Sequence, residues 1–211
     1  MKDFDSMALT WDSEPRRVEL ARAVAAVIRK HVPVSKKMTA FEYGCGTGLL
    51  SFNLHSFLKS VKMADISDAM LDVLRGKVNR HGLTGVEIEN LDLTESFKPH
   101  GSYDLVYTQM ALHHIIDVEK LLGVFYQMIN PSGYLCIADL DEEDGTFHAA
   151  DFQGHNGFNQ SELASLLRKL GFENIKTEIA FNITKEASDG ITKTFPVFVI
   201  FSQKSVNQTT K

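Results

Sequence analysis

Glycine at every second position in Glu42-Tyr43-Gly44-Cys45-Gly46-Thr47-Gly48 constrains this chain more than any other stretch. On its amino side Met38, Ala40, Phe41 and Tyr43 read as a buried strand. On its carboxyl side Leu49, Leu50, Phe52, Leu54, Phe57 and Leu58 recur at spacings that fit a helix. The glycines form the corner between the two. Residues without a Cβ allow a sharp turn and a close approach to a ligand, and the helix that follows offers unpaired N–H groups and a positive dipole end. The stretch therefore reads as a loop for a nucleotide-type cofactor, or else as a bare strand-to-helix turn.

Spacing separates two nucleotide-fold readings. The dinucleotide fingerprint G-x-G-x-x-G needs its third glycine where Leu49 stands, and Gly48 falls one position early, which disfavours a nucleotide-dependent oxidoreductase. The run instead resembles the E-x-G-x-G-x-G loop of the class I S-adenosylmethionine-dependent methyltransferases, in which the loop passes beneath the methionine part of the cofactor.

Composition bounds what such a chain can be. At 211 residues, 44% hydrophobic and 23% charged, it suits one domain with a sizeable core. A net charge of -5 and a pI near 5.9 argue against a broad electrostatic footprint for nucleic acid. Cys45 and Cys136 are too few and too far apart for a disulfide framework or a cysteine-based zinc site, which fits a reducing, cytoplasmic setting. The amino-terminal residues lack the apolar core of a signal peptide, and the longest apolar runs, such as Val197 to Phe201, are too short to span a bilayer, so no membrane association is expected.

In chain order, Glu14 to His31 reads as a helix with Ser13 as N-cap and Pro15 in its first turn. Phe4, Met7 and Trp11 ahead of it are an apolar set that covers either the sheet or, as a lid formed by residues 1–13, the active site. Val61, Met63 and Ala64 make a second strand ending at Asp65, about twenty residues beyond the loop glycines. There a nucleotide fold places an acid that accepts hydrogen bonds from both ribose hydroxyls. Ser67 or Asp68 caps the next helix. Val86, Ile88 and Glu89 make a third strand, followed by Asp92 and Leu93. Tyr103 to Thr108 reads as a fourth strand leading into Gln109-Met110-Ala111-Leu112-His113-His114-Ile115, which resembles the same family's segment after that strand. The resemblance implies a cofactor-binding set of Glu42, Gly44, Cys45, Gly46, Asp65, Ile66, Met70, Asp92, Leu93 and Gln109. Within it Asp92 would accept the adenine amino group and Leu93 would be its backbone partner.

Catalytic residues are less defined. His113 and His114 are adjacent on a helical turn and point in different directions, so they do not make an i, i+4 metal pair, and one of them is a candidate to orient or deprotonate a nucleophile. Asp117 to Ile129 reads as a helix, Asn130 to Gly133 as a turn and Tyr134 to Leu140 as a fifth strand. The acids Asp139, Asp141, Glu142, Glu143 and Asp144 read as a solvated charge run, and no metal is expected. The long loop from Asp144 to Phe158 carries His148 and His155, each a substrate-facing candidate or part of an aromatic cover. A last helix opened by Asn159 or Ser161 precedes two β-rich runs joined by a hairpin.

The resemblance covers about residues 14 to 203. It implies a doubly wound, Rossmann-like α/β domain spanning 1–204, with helices on both faces of a mostly parallel seven-stranded sheet that ends in an antiparallel hairpin. Residues 205–211 form a polar tail. It further implies an enzyme of the small-molecule, quinone-methyltransferase-like group, monomer or homodimer. Such an enzyme moves the methyl group of S-adenosylmethionine to a small organic acceptor and releases S-adenosylhomocysteine. The exocyclic-amine nucleic-acid enzymes carry [N/D]-P-P-[Y/F/W] after the fourth strand, where this chain has Thr108-Gln109-Met110-Ala111, and no Pro-Cys dipeptide occurs for a cytosine-C5 enzyme. A non-catalytic S-adenosylmethionine-binding module would share the cofactor residues.

Overall fold

The computed structural model describes residues 4–206. Its elements are α1 (Phe4–Met7), α2 (Pro15–His31), β1 (Thr39–Tyr43), α3 (Leu49–Leu54), β2 (Ser60–Asp65), α4 (Asp68–His81), β3 (Val86–Asn90), β4 (Tyr103–Gln109), α5 (Val118–Met128), β5 (Ile129–Leu140), α6 (Gln160–Lys169), β6 (Phe172–Glu186) and β7 (Thr192–Lys204). Short 3₁₀ segments fill Ala8–Ser13, His55–Phe57 and Leu112–His114. The seven strands form one sheet in the order β3-β2-β1-β4-β5-β7-β6, and a seven-stranded sheet that ends in a hairpin is what the resemblance implied. β3, β2, β1, β4 and β5 run parallel, and β7 lies antiparallel to both β5 and β6.

Alternation along the central strands sends side chains to two cores. Leu105 and Tyr107 of β4 join the face covered by α2 and α3, and Val106 joins the face covered by α5 and α6. The hairpin strand β7 divides the same way, with Val197, Val199 and Phe201 on one face and Phe198 and Ile200 on the other. A sheet buried on both faces is why these strands read as continuous apolar runs. Strand order reverses between β1 and β4, so the crevice outside their carboxyl ends is the ligand position of an open α/β sheet.

Several boundaries differ from the sequence reading. Glu14, not Ser13, stands at the N-cap of α2 and makes no side-chain cap, because Ser13 belongs to the preceding 3₁₀ turn and its hydroxyl donates to Thr10 O at 2.5 Å. The helix after the glycine loop ends at Leu54 and tightens to 3₁₀ through Phe57. Asn130–Gly133, read as a turn, lies within β5, where Ser132 takes a left-handed φ of 64° and the β4–β5 register shifts between Tyr103 and Leu105. The caps at Ser67 and Asn159 form as expected, each side-chain oxygen accepting from backbone N–H groups of its helix. Of the tail, only Ser205 and Val206 lie within the described residues.

Candidate active site

At the carboxyl ends of β1 and β4 lies a cavity of about 270 Å³. The three loop glycines, all at positive φ, serve three purposes, and Gly44 and Gly46 border the cavity. A Cβ on Gly44 would come within 2.5 Å of Ala111 Cβ, so this glycine lets the loop pack against the segment after β4. A Cβ on Gly48 would meet Leu74 Cδ1 at 2.6 Å, so this one seats the loop on α4. A Cβ on Gly46 would meet no protein atom within 4 Å, and Gly46 lines the cavity. Only Gly46 therefore leaves room that a ligand rather than the protein can use.

Asp65, at the end of β2, clasps this loop. Its Oδ2 accepts from Gly46 N at 2.7 Å and its Oδ1 from Ser67 N at 3.0 Å, while the carboxylate also lines the cavity. Burial pushes its pKa up, and the N–H groups of Ser67, Gly46 and Ile66 pull against that. Glu42 lies deeper, at 2% exposure, and accepts from Ser51 Oγ, which in turn meets Tyr107 Oη at 2.6 Å. Burial moves the Glu42 carboxyl from 4.5 to about 8. The buried Cys45 thiol is likewise pushed up by burial, which keeps it protonated. Ile66, Met70 and Gln109 complete this wall, and Gln109 Oε1 is buried without a hydrogen bond among the described residues. An orphaned acceptor of this kind is a place for a ligand donor. Met110 follows with a left-handed φ of 54°, a strain that turns the chain toward the histidines.

Asp92 and Leu93 are not among the lining residues. Asp92 Oδ1 accepts from Thr94 N at 2.7 Å and Thr94 Oγ1 at 2.6 Å, and it reaches the cavity wall only through Tyr43, whose hydroxyl donates to it at 3.4 Å. Leu93 is buried in the core beneath α5.

The opposite wall is aromatic and imidazole-rich. Phe4, Met7 and Trp11 line the cavity rather than the sheet. Two anchors hold their segment down. Asp12 accepts from Thr47 Oγ1 and from Lys77 Nζ, each at 2.5 Å, and Asp5 accepts from Ser67 Oγ at 2.5 Å. His113, His114 and His148 also line the cavity. The expectation that the adjacent pair diverges is corrected: their ring centroids lie 4.2 Å apart, because they occupy a single 3₁₀ turn and not a helix face. Phe152 stacks on His148 at 3.9 Å.

Asp139 overturns the reading of the acidic run. It is fully buried in β5, its Oδ1 lies 2.6 Å from His113 Nδ1, and its Oδ2 accepts from His113 N at 3.2 Å. Asp141 and the acids after it leave the strand. His155 is a second correction, since it does not line the cavity. Its Nε2 bonds to Ile115 O at 2.9 Å and its backbone N donates to His113 O at 2.8 Å, so it ties the long loop to the turn after β4. Sequence reasoning also missed Arg16, Arg17, Ile183 and Lys185, which line the cavity from α2 and β6. The Arg17 guanidinium lies 3.7 Å from the Trp11 ring centroid.

A family model described as "Methyltransferase domain" matches residues 16–177. An uncharacterized methyltransferase of Schizosaccharomyces pombe is 26% identical over 153 residues, covering 65% of this chain and 54% of its own length. A ubiquinone biosynthesis O-methyltransferase of Shewanella pealeana is 30% identical over 154 residues, covering 65% and 60%. The chain thus spans little more than half the length of these relatives. Among solved structures, a SAM-dependent methyltransferase from Aquifex aeolicus superposes with a TM-score of 0.67 at 20% identity, covering 94% of this chain and 97% of that one.

Proposed function

Since the chain belongs to the methyltransferase-domain family, we propose that it binds S-adenosylmethionine in this cavity and methylates a small organic acceptor held against the histidine wall. The observation that carries the reading is the cavity's division. One wall is the glycine loop with Asp65 and Gln109, and the other is His113, His114 and His148 beneath the amino-terminal aromatics. The open space at Gly46 and the orphaned Gln109 Oε1 fit the cofactor. S-adenosylmethionine supplies a sulfonium-activated methyl group, so the chain needs to hold a nucleophile in line and manage its proton.

The residues divide that work. Asp65, an acceptor with lone pairs beyond those it spends on Gly46 and Ser67, takes the ribose hydroxyls. Ile66, Met70 and Tyr43 supply the apolar wall for the adenine, with Asp92 behind the Tyr43 hydroxyl. Gln109 Oε1 accepts from the methionine ammonium. Phe4, Met7 and Trp11 act as a lid that keeps water from the transferring methyl group. His113, oriented by Asp139, and His148 form the wall against which the acceptor's nucleophilic end is set. The two wall types together favour catalysis over a binding module, which has no use for an oriented imidazole.

Calorimetric titration of cofactor-stripped protein tests this. S-adenosylmethionine and S-adenosylhomocysteine bind at one per chain, and NADH does not. Asp65→Ala weakens both by about 5- to 150-fold, the equivalent of about 1–3 kcal/mol for buried donors left without their acceptor. Binding of NADH alone, or unchanged affinity in the variant, rules out the assignment.

A further inference from the structure

The imidazoles of His113, His114 and His148 each offer a nitrogen, and these nitrogens all lie within 4.8 Å of one another. Two segments remote in sequence build the cluster: the 3₁₀ turn after β4 and the loop after β5. His113 is 1% exposed and His148 7%, so this is not a chance gathering of surface side chains. The fully buried Asp139 carboxylate fixes the ring of His113, accepting from Nδ1–H and leaving the lone pair on Nε2.

We propose that this cluster is a divalent transition-metal site, with His113, His114 and His148 as ligands and Asp139 as the carboxylate behind the first of them. Three neutral imidazoles without a thiolate or carboxylate suit zinc and its first-row neighbours, whereas calcium and magnesium select oxygen ligands. The carboxylate–histidine–metal arrangement is the usual outer-shell device for fixing ring orientation and raising ligand basicity. Tetrahedral coordination at about 2.0–2.1 Å places nitrogens about 3.3 Å apart, so each ring has to draw inward by less than about 1 Å. Three protein ligands leave a fourth position, which faces the cavity and takes an oxygen or nitrogen of the acceptor. There the cation would polarise the acceptor's bound atom. Only this last role rests on the methyltransferase reading; the metal site is read from the chain alone.

The test uses chelator-treated full-length protein without S-adenosylmethionine, titrated with cobalt(II) and then zinc(II). One cobalt per chain binds with the intense visible bands of four-coordinate cobalt, and zinc displaces it. His148→Ala and His114→Ala abolish those bands. Asp139→Asn, which keeps an acceptor for Nδ1–H but removes the charge, lowers affinity by about 10- to 100-fold. His81→Ala, at an exposed histidine packed edge-on to Phe52, changes nothing. Should a variant not fold, X-ray absorption of the zinc-loaded wild type decides, with three imidazole nitrogens at about 2.0–2.1 Å expected. Absence of stoichiometric binding, weak bands of six-coordinate cobalt, or bands that survive His148→Ala overturn the proposal. Metal binding without S-adenosylmethionine binding would remove the proposed function and leave this site standing, and the converse would remove only the site.

Discussion

Glu42→Gln should flatten the pH dependence of stability. The Glu42 side chain is 2% exposed at the end of β1, and burial is the main reason its carboxyl moves from 4.5 to about 8. The Ser51 hydrogen bonds and Lys77 oppose that shift, and Asp65 adds to it. The folded protein therefore keeps a proton that the unfolded chain releases between pH 4.5 and about 8. Stability from this group is complete below pH 4.5, falls through that window, and has been lost above about 8. At about 1.4 kcal/mol per pH unit the window amounts to about 5 kcal/mol, a large share of a typical domain's stability. Glutamine keeps the shape and an oxygen for the Ser51 hydroxyl but has no proton to lose. Urea unfolding of ligand-free wild type and variant, on both sides of the window and at constant ionic strength, measures the difference. The variant should gain on the wild type as pH rises and the gap should level off above about 8. Parallel stability profiles would mean that water reaches Glu42 and that the buried neutral carboxyl is wrong.

Three further predictions concern the two walls of the cavity. Gly44→Ala puts a Cβ 2.5 Å from Ala111 Cβ at a φ of +68°, and it should cost about 2–4 kcal/mol, of which about 1–3 is overpacking and about 1 left-handed strain. Adding Ala111→Gly should recover the overpacking part, and strictly additive losses in thermal unfolding would disprove the contact. A Cβ at Gly46 would meet no protein atom within 4 Å, so Gly46→Val should lose chiefly the left-handed strain of about 1–2 kcal/mol while abolishing calorimetric binding of S-adenosylmethionine. Retained binding would place the cofactor elsewhere. Asp12→Ala releases the amino-terminal segment from Lys77 and Thr47, and amide exchange of residues 4–13 should quicken while α4 stays protected. Unchanged exchange would show that the aromatic packing and the Asp5–Ser67 bond hold the segment without Asp12.

What the sequence made legible is what local chemistry determines. The glycine loop, the caps at Ser67 and Asn159 and the hairpin of β6 and β7 announce themselves through residues close together in the chain. The candidate active site is less local, and the errors follow from that. Helix geometry sends the adjacent His113 and His114 apart, and a single 3₁₀ turn does not obey it. His155 sits in a loop whose place depends on its bond to Ile115, and nothing in its neighbourhood distinguishes it from His148. Lys185 and Ile183 come from β6, at the far edge of the sheet order, and reach the cavity only because that strand is long. Asp139 carried a signal that went unused. It sits between Ala138 and Leu140 in a strand buried on both faces, where a carboxylate requires a partner, whereas Asp141 to Asp144 lie past the strand end. The partner's identity follows from register: β4 and β5 pair Gln109 with Ala138, so the chain leaving Gln109 turns directly over the next residue of β5 and brings His113 onto Asp139. A one-residue slip of that register would send Asp139 to the other face and leave His113 without its carboxylate. The histidine wall is thus a consequence of how two central strands align, and any substitution that shifts β4 against β5 should disable it without touching a single imidazole.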